Sequence, residues 1–151
     1  MKVRGFEWVT GWQQRGAVLP QRKTAASAGY DLAAAERVTI APQVMVMVPT
    51  GVKAYMQADE VLMIHIRSSL AVKRQLVLMN SVGVVDADYY NNEDNEGHIF
   101  IALWNRGSQP VVIEPGERIA QGIFQKYLTA DGDMAGDGAA RQGGFGSTGK
   151  A

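Results

Sequence analysis

Arg67, Ser68 and Ser69 follow one another in "HIRSSLAVK", and side chains in that order suit an oxyanion. A guanidinium fork matches two phosphate oxygens at once, and hydroxyl or N–H groups at a helix start add donors beside it. The same triplet also reads as a surface ion pair plus a helix cap, so it identifies no ligand by itself. The carboxy end carries a second group. In "RQGGFGSTGK", Arg141, Phe145, Ser147 and Thr148 are spread among glycines. One cation, one π-face, two hydroxyls and unhindered backbone N–H groups suit closure over a nucleotide, with the ring on the base and the donors on phosphate.

Other positions are suggestive singly. "NSVGVVDADYYNNEDNEGHIFIALWN" reads as a long hairpin with Asp86 near its bend, Tyr89 just beyond, and an acidic turn before the second apolar strand. An aspartate there equally fits an Asx-turn. Gln121 lies within an apolar strand, where an amide must be satisfied by the fold or by a ligand. Asp31 starts a strand just after Gly29, which is expected in a turn. Two tempting motifs fail. Gly144, Gly149 and Lys150 mimic a phosphate loop, but Ala151 stands where Ser or Thr is needed and no strand precedes the stretch. Asn92, Asp94, Glu96 and Gly97 mimic the start of an EF-hand loop, but Leu103 occupies the position of its bidentate glutamate. The acidic cluster is then a solvated loop, or a contact surface for another protein.

Positioning these groups falls to strands. Short β-branched runs such as "RVTI", "VMVMVP", "VLMIHI", "QLVLM" and "IFIALW", punctuated by Gly, Pro, Asn and Asp, predict an all-β sandwich or barrel. "IAPQ" and "IEPG" read as hairpin turns. One short helix is expected around "SSLAVKRQ", capped by Ser68 or Ser69. The 151 residues suit one domain, residues 1–128, followed by an arm, residues 129–151, with seven glycines in 23 residues. Such an arm is expected to be flexible when nothing is bound. Lys and Arg total 15, as do Asp and Glu. That balance gives no general positive field for nucleic acid. Cysteine is absent, which removes thiolate metal sites, and two histidines cannot alone make a histidine-rich zinc site. The amino terminus lacks a signal-peptide run and no stretch has the length of a membrane span, so a cytoplasmic location is expected.

In order along the chain, "AGYDLAAAE", "RSSLAVK", "GVVDADY", "ERIAQGIF" and "RQGGFGSTG" resemble the five motifs of the trimeric dUTP pyrophosphatases. The resemblance implies a jelly-roll or distorted β-barrel subunit in a homotrimer whose active sites are shared between subunits. It implies hydrolysis of dUTP to dUMP and pyrophosphate with magnesium, which keeps uracil out of DNA and supplies dUMP for thymidylate synthesis. Arg67, Ser68, Ser69 and Gln121 would hold phosphates. Asn80, Gly83, Val84, Val85 and Phe100 would frame uracil, and Tyr89 would pack on the sugar and exclude a 2'-hydroxyl. Asp86 would be the general base that orients the attacking water. Asp31 would order the magnesium water shell from outside the first sphere, with no direct protein ligand to the metal. Phe145 would stack on uracil, while Arg141, Gly146, Ser147 and Thr148 would close on the nucleotide. Four departures are visible: Ile66 for a common proline, Ser69 for a common glycine, the bulky Tyr30 within the first motif, and a longer turn after Tyr89. Related deaminases of the superfamily use a glutamate where this chain has Ala102, which disfavours dCTP deamination. A regulatory binding protein acting through loop 90–96 is the other alternative.

Overall fold

The computed structural model describes residues 1–135 and residue 144. Its strands in chain order are β1 (Gly5–Trp8), β2 (Gln21–Arg22), β3 (Tyr30–Ala33), β4 (Val38–Ile40), β5 (Met45–Pro49), β6 (Val52–Tyr55) and β7 (Glu60–Ile66). The helix α1 (Ser68–Lys73) follows, then β8 (Leu76–Leu78), β9 (Gly83–Asp86), a short 3-10 turn (Ala87–Tyr89), β10 (Phe100–Asn105), β11 (Val111–Ile113) and β12 (Arg118–Lys126). All pairings are antiparallel. The largest sheet has the order β2-β3-β12-β7-β9, and β5-β10-β8 form a second; β1-β6 and β11-β4 are two-stranded. This is the expected all-β architecture with one short helix. It does not close into a barrel, since β2 and β9 stand at the edges of the largest sheet.

Alternation decides which side chains go inside. In β10, Ile101 and Leu103 are buried and Asn105 joins them, while Phe100 and Trp104 on the opposite face are only half-buried. Leu32, Ile40, Leu62, Leu76, Ile113 and Ile119 complete a fully enclosed centre. Each such side chain contributes about 1.5–3 kcal/mol through burial. Both Pro turns form: Val44 N–H donates to Ala41 O, and Glu117 N–H to Glu114 O. Outside the core, Met45, Met47 and Met79 are 41%, 36% and 55% exposed around Trp104, which leaves an apolar face on the three-stranded sheet. Among the described residues no helix is long and apolar enough to cross a membrane.

Three local expectations are corrected. The segment from Val82 to Asn105 is not one hairpin: β9 pairs with β7, whereas β10 pairs with β5 and β8. Its two arms therefore enter different sheets and leave space between them. Neither Ser68 nor Ser69 caps α1. The cap position is Arg67, in extended backbone and without a side-chain cap bond, so both hydroxyls lie exposed within the first turn. Gly29 is not in a turn. It precedes β3, and a Cβ there would fall 2.4 Å from Gln121 Oε1; its reason is close approach.

Candidate active site

Where β9 and β10 part company, a cavity of about 290 Å³ opens. Asn80, Gly83, Val84, Val85, Asp86, Tyr89 and Phe100, the residues assigned above to base, sugar and water, all border it. Ile64, Val82 and Ile99 add apolar surface. The mixture of a dry wall with one carboxylate is suited to a flat, weakly polar ring linked to a charged tail. Asp86 ends β9 opposite Val61 and is exposed.

Tyr89 is fixed from three directions. Its hydroxyl donates to His98 O at 2.6 Å and accepts from Asn95 Nδ2 at 2.9 Å, while its carbonyl accepts from Asn92 Nδ2 at 2.8 Å. A phenol tied at both ends cannot swing aside for a bulkier ligand. Gly144 reaches the same ring: a Cβ on it would lie 2.7 Å from Tyr89 Cε1, so the arm can cross here only as glycine. Arg141, Phe145, Gly146, Ser147 and Thr148 lie outside the described residues.

The long turn after Tyr89 is built into the domain. Asn92 Oδ1 accepts from the N–H groups of Asp94 and Asn95, which closes an Asx-type turn. Glu96 Oε2 accepts from Thr10 N–H at 3.2 Å and from Lys53 Nζ at 3.2 Å, and its carboxyl is held below the usual range first by the Thr10 side chain, then by the Thr10 N–H, with Lys53 adding to both. Tyr90 donates its hydroxyl to Glu7, and Lys53 Nζ also donates to Asn91 Oδ1 at 2.6 Å. Only Glu93 and Asp94 leave exposed acids on this loop.

The phosphate-type groups occupy another place. Gln121 in β12 stands directly opposite Asp31 in β3 and His65 in β7. Arg118 Nη1 lies 3.4 Å from Asp31 Oδ2, and Arg67 Nη1 donates to Arg118 O at 3.4 Å. Ser68 and Ser69 extend this cluster at the start of α1. Arg67, Ser68, Ser69 and Gln121 do not border the cavity. The strand register explains why. Asp86 is level with Val61, and Arg67 lies six residues further along the chain. At roughly 3.3 Å per residue the two positions stand about 20 Å apart along the sheet.

Arg118 was not singled out from the sequence, although it falls inside "ERIAQGIF". Nor was His98. It is 5% exposed, and burial first, then the nearby Arg15 charge, lowers its pKa to about 4 against a weaker opposing pull from Glu96. Ala102 is buried opposite Met47 in β10 and supplies no acid or base.

An antiparallel β domain with a preformed apolar cavity, a carboxylate on its border and a separate cationic cluster suits a protein that binds a flat ring carrying a charged tail. Comparison with known proteins is more specific. A family model described as dUTPase matches residues 15–149. The deoxyuridine 5'-triphosphate nucleotidohydrolase of Lactococcus lactis subsp. lactis (strain IL1403) is 56% identical over 149 residues, covering 99% of both chains. That of Chromobacterium violaceum is 41% identical over 138 residues, covering 87% of this chain and 88% of its own. Among solved structures, the dUTPase from Streptococcus mutans superposes with a TM-score of 0.81 at 55% identity, over 85% of this chain and 99% of that one. The chain belongs to the dUTPase family.

Proposed function

We propose that this protein hydrolyses dUTP to dUMP and pyrophosphate in the cytoplasm. The observation that carries the reading is the cavity bordered by Asn80, Gly83–Asp86, Tyr89 and Phe100, with the exposed carboxylate of Asp86 among them. Uracil lies against the strand backbone of Gly83, Val84 and Val85, where N–H and C=O groups copy a pairing edge and the apolar surface leaves no space for a thymine methyl. Tyr89 takes the deoxyribose face. Because its hydroxyl is bonded on both sides, its ring stays in the space a 2'-hydroxyl would need. Asp86 accepts a proton from water as the water oxygen bonds to the α-phosphorus; the bond from that phosphorus to the bridging oxygen breaks, and pyrophosphate leaves.

Arg67, Ser68, Ser69 and Gln121 neutralise and orient the phosphates, but they come from a neighbouring copy. The separation of about 20 Å along β7 supports this sharing, and the apolar face around Trp104, Met45, Met47 and Met79 supports a homotrimer that covers it. The arm then brings Phe145 onto the base and Arg141, Gly146, Ser147 and Thr148 onto the phosphates. Magnesium would arrive on the substrate phosphates and neutralise their charge, with Asp31 bonding to its waters from outside. Glu93 and Asp94, the exposed acids of the long turn, suit a basic protein partner as a second role.

Pyrophosphate release measured with dUTP, dTTP, dCTP and UTP, with and without magnesium, tests the reading. Turnover of dUTP alone, requiring the metal, is the expected result; equal rates for dUTP and dTTP would remove the uracil cavity from the account. Asp86→Asn is expected to keep nucleotide binding and to lose at least about 10²-fold in kcat.

A further inference from the structure

Behind the cavity stands a part of the chain that precedes the family match, which begins at residue 15. Tight turns hold Trp12 there. Its N–H donates to Val9 O, its carbonyl accepts from Ala17 N–H, and Trp8 Nε1 also donates to Ala17 O at 2.8 Å. The Trp12 ring meets the His98 ring edge-on, with centroids 4.9 Å apart at 65°. His98 in turn lies 4.2 Å from the Phe100 ring at 35°, and Phe100 borders the cavity. On the outside the Arg15 guanidinium stands 3.7 Å above Trp12. Four planar groups thus run as one column from solvent to the cavity wall.

His98 is bound at both its polar ends. Its Nε2 accepts from Gly51 N–H at 2.8 Å, and its carbonyl accepts the Tyr89 hydroxyl. That ring nitrogen can accept only while the imidazole is neutral. The long turn closes the arrangement, since Glu96 binds Thr10 N–H two residues before Trp12. The amino-terminal turns and the long turn brace each other, and the cavity wall leans on both.

We propose that Trp12 and His98 are positioning residues of the nucleotide cavity: their stack fixes Phe100 from behind and the His98 carbonyl fixes Tyr89, so the amino-terminal segment sets selectivity for base and sugar. This rests on the hydrolase reading above. Neither residue touches the reacting phosphorus. A loosened wall weakens nucleotide binding and admits a larger base or sugar, while Asp86 and its water are left in place. The signature is a change in KM and in substrate preference at nearly constant kcat.

Steady-state pyrophosphate release by the full chain, with dUTP, dTTP and UTP, separates these effects. Trp12→Ala is expected to raise KM for dUTP by about 3- to 10-fold, as loss of one aromatic contact predicts, with kcat within about twofold. Its preference for dUTP over UTP and dTTP should fall by a similar factor. Trp12→Phe, which keeps a ring against His98, should restore both. His98→Gln, which keeps an acceptor for Gly51 N–H but no ring, should resemble Trp12→Ala. Wild-type KM and selectivity in a folded Trp12→Ala protein would overturn the proposal, as would failure of Trp12→Phe to recover them. If Trp12→Ala does not fold, Trp12→Leu fills the volume without an aromatic face and answers the same question. Absence of dUTP turnover in the wild-type chain would instead count against the hydrolase reading, which keeps the two failures distinguishable.

Discussion

His98 is neutral in the folded chain because its imidazole is enclosed by Trp12, Phe100 and the Gly51 amide, and because Arg15 faces it more effectively than Glu96 does. Its folded pKa of about 4 lies below the ordinary value of 6.5. Well above pH 6.5 the ring is neutral in both states and nothing is lost. As pH falls from 6.5 toward 4, the unfolded chain binds a proton that the folded chain refuses, and stability drops. Between pH 7 and pH 5 the loss from this residue amounts to about 2 kcal/mol. Glu60, Asp59 and Glu96 have carboxyls held below their ordinary values. Their contributions are present above the unfolded carboxyl pKa and fall only in more acid solution. Urea midpoints at pH 7 and pH 5, at fixed protein concentration, should therefore show a drop in the wild type that His98→Gln lacks. An equal drop in both proteins would mean that this imidazole is not the titrating group.

At the scale of elements, one amide joins pieces of sheet that share no ladder. Asn105 ends β10 with no exposure, and its Nδ2 donates to Ile40 O at the end of β4 and to Gln109 O, while its Oδ1 accepts from Gly107 N–H. Asn105→Leu would take this partner from the buried Ile40 carbonyl, the Gln109 carbonyl and the Gly107 N–H. A loss of about 2–4 kcal/mol in unfolding free energy is expected, measurable by urea titration. The strands themselves were legible because β-branched runs of the right length recur between turn residues. Their partners were not: the hairpin assigned to residues 82–105 follows from adjacency in sequence, whereas β9 finds its partner in β7 and β10 in β5, with other elements in between. The site shows the same division. Asp86, Tyr89 and Arg67 could be named from motif residues, but Trp12 and His98 could not, because a stack of rings separated by 86 residues leaves no local pattern. Glycine at 29 was visible, and its cause, the Gln121 amide one strand away, was not.

For the whole molecule, the distance between Asp86 and Arg67 along β7 makes a sharp test of shared sites. Arg67→Ala and Asp86→Asn chains should each be inactive as pure proteins. Unfolded together in equal amounts and refolded, they should regain about a quarter of wild-type activity, because a site that draws each group from a different copy is intact in one random pairing of four. No recovery in a mixture shown to have exchanged subunits would place both groups in the same chain after all. The same separation governs what a lone polypeptide can do. If sites are shared in this way, a freshly made chain would hold parts of different sites and no complete one, would be idle until others accumulate, and dilution should silence the enzyme before it unfolds. Turnover would then rise more steeply than in proportion to the amount of polypeptide, giving the cell a threshold in synthesis below which the deoxynucleotide pool goes unpoliced.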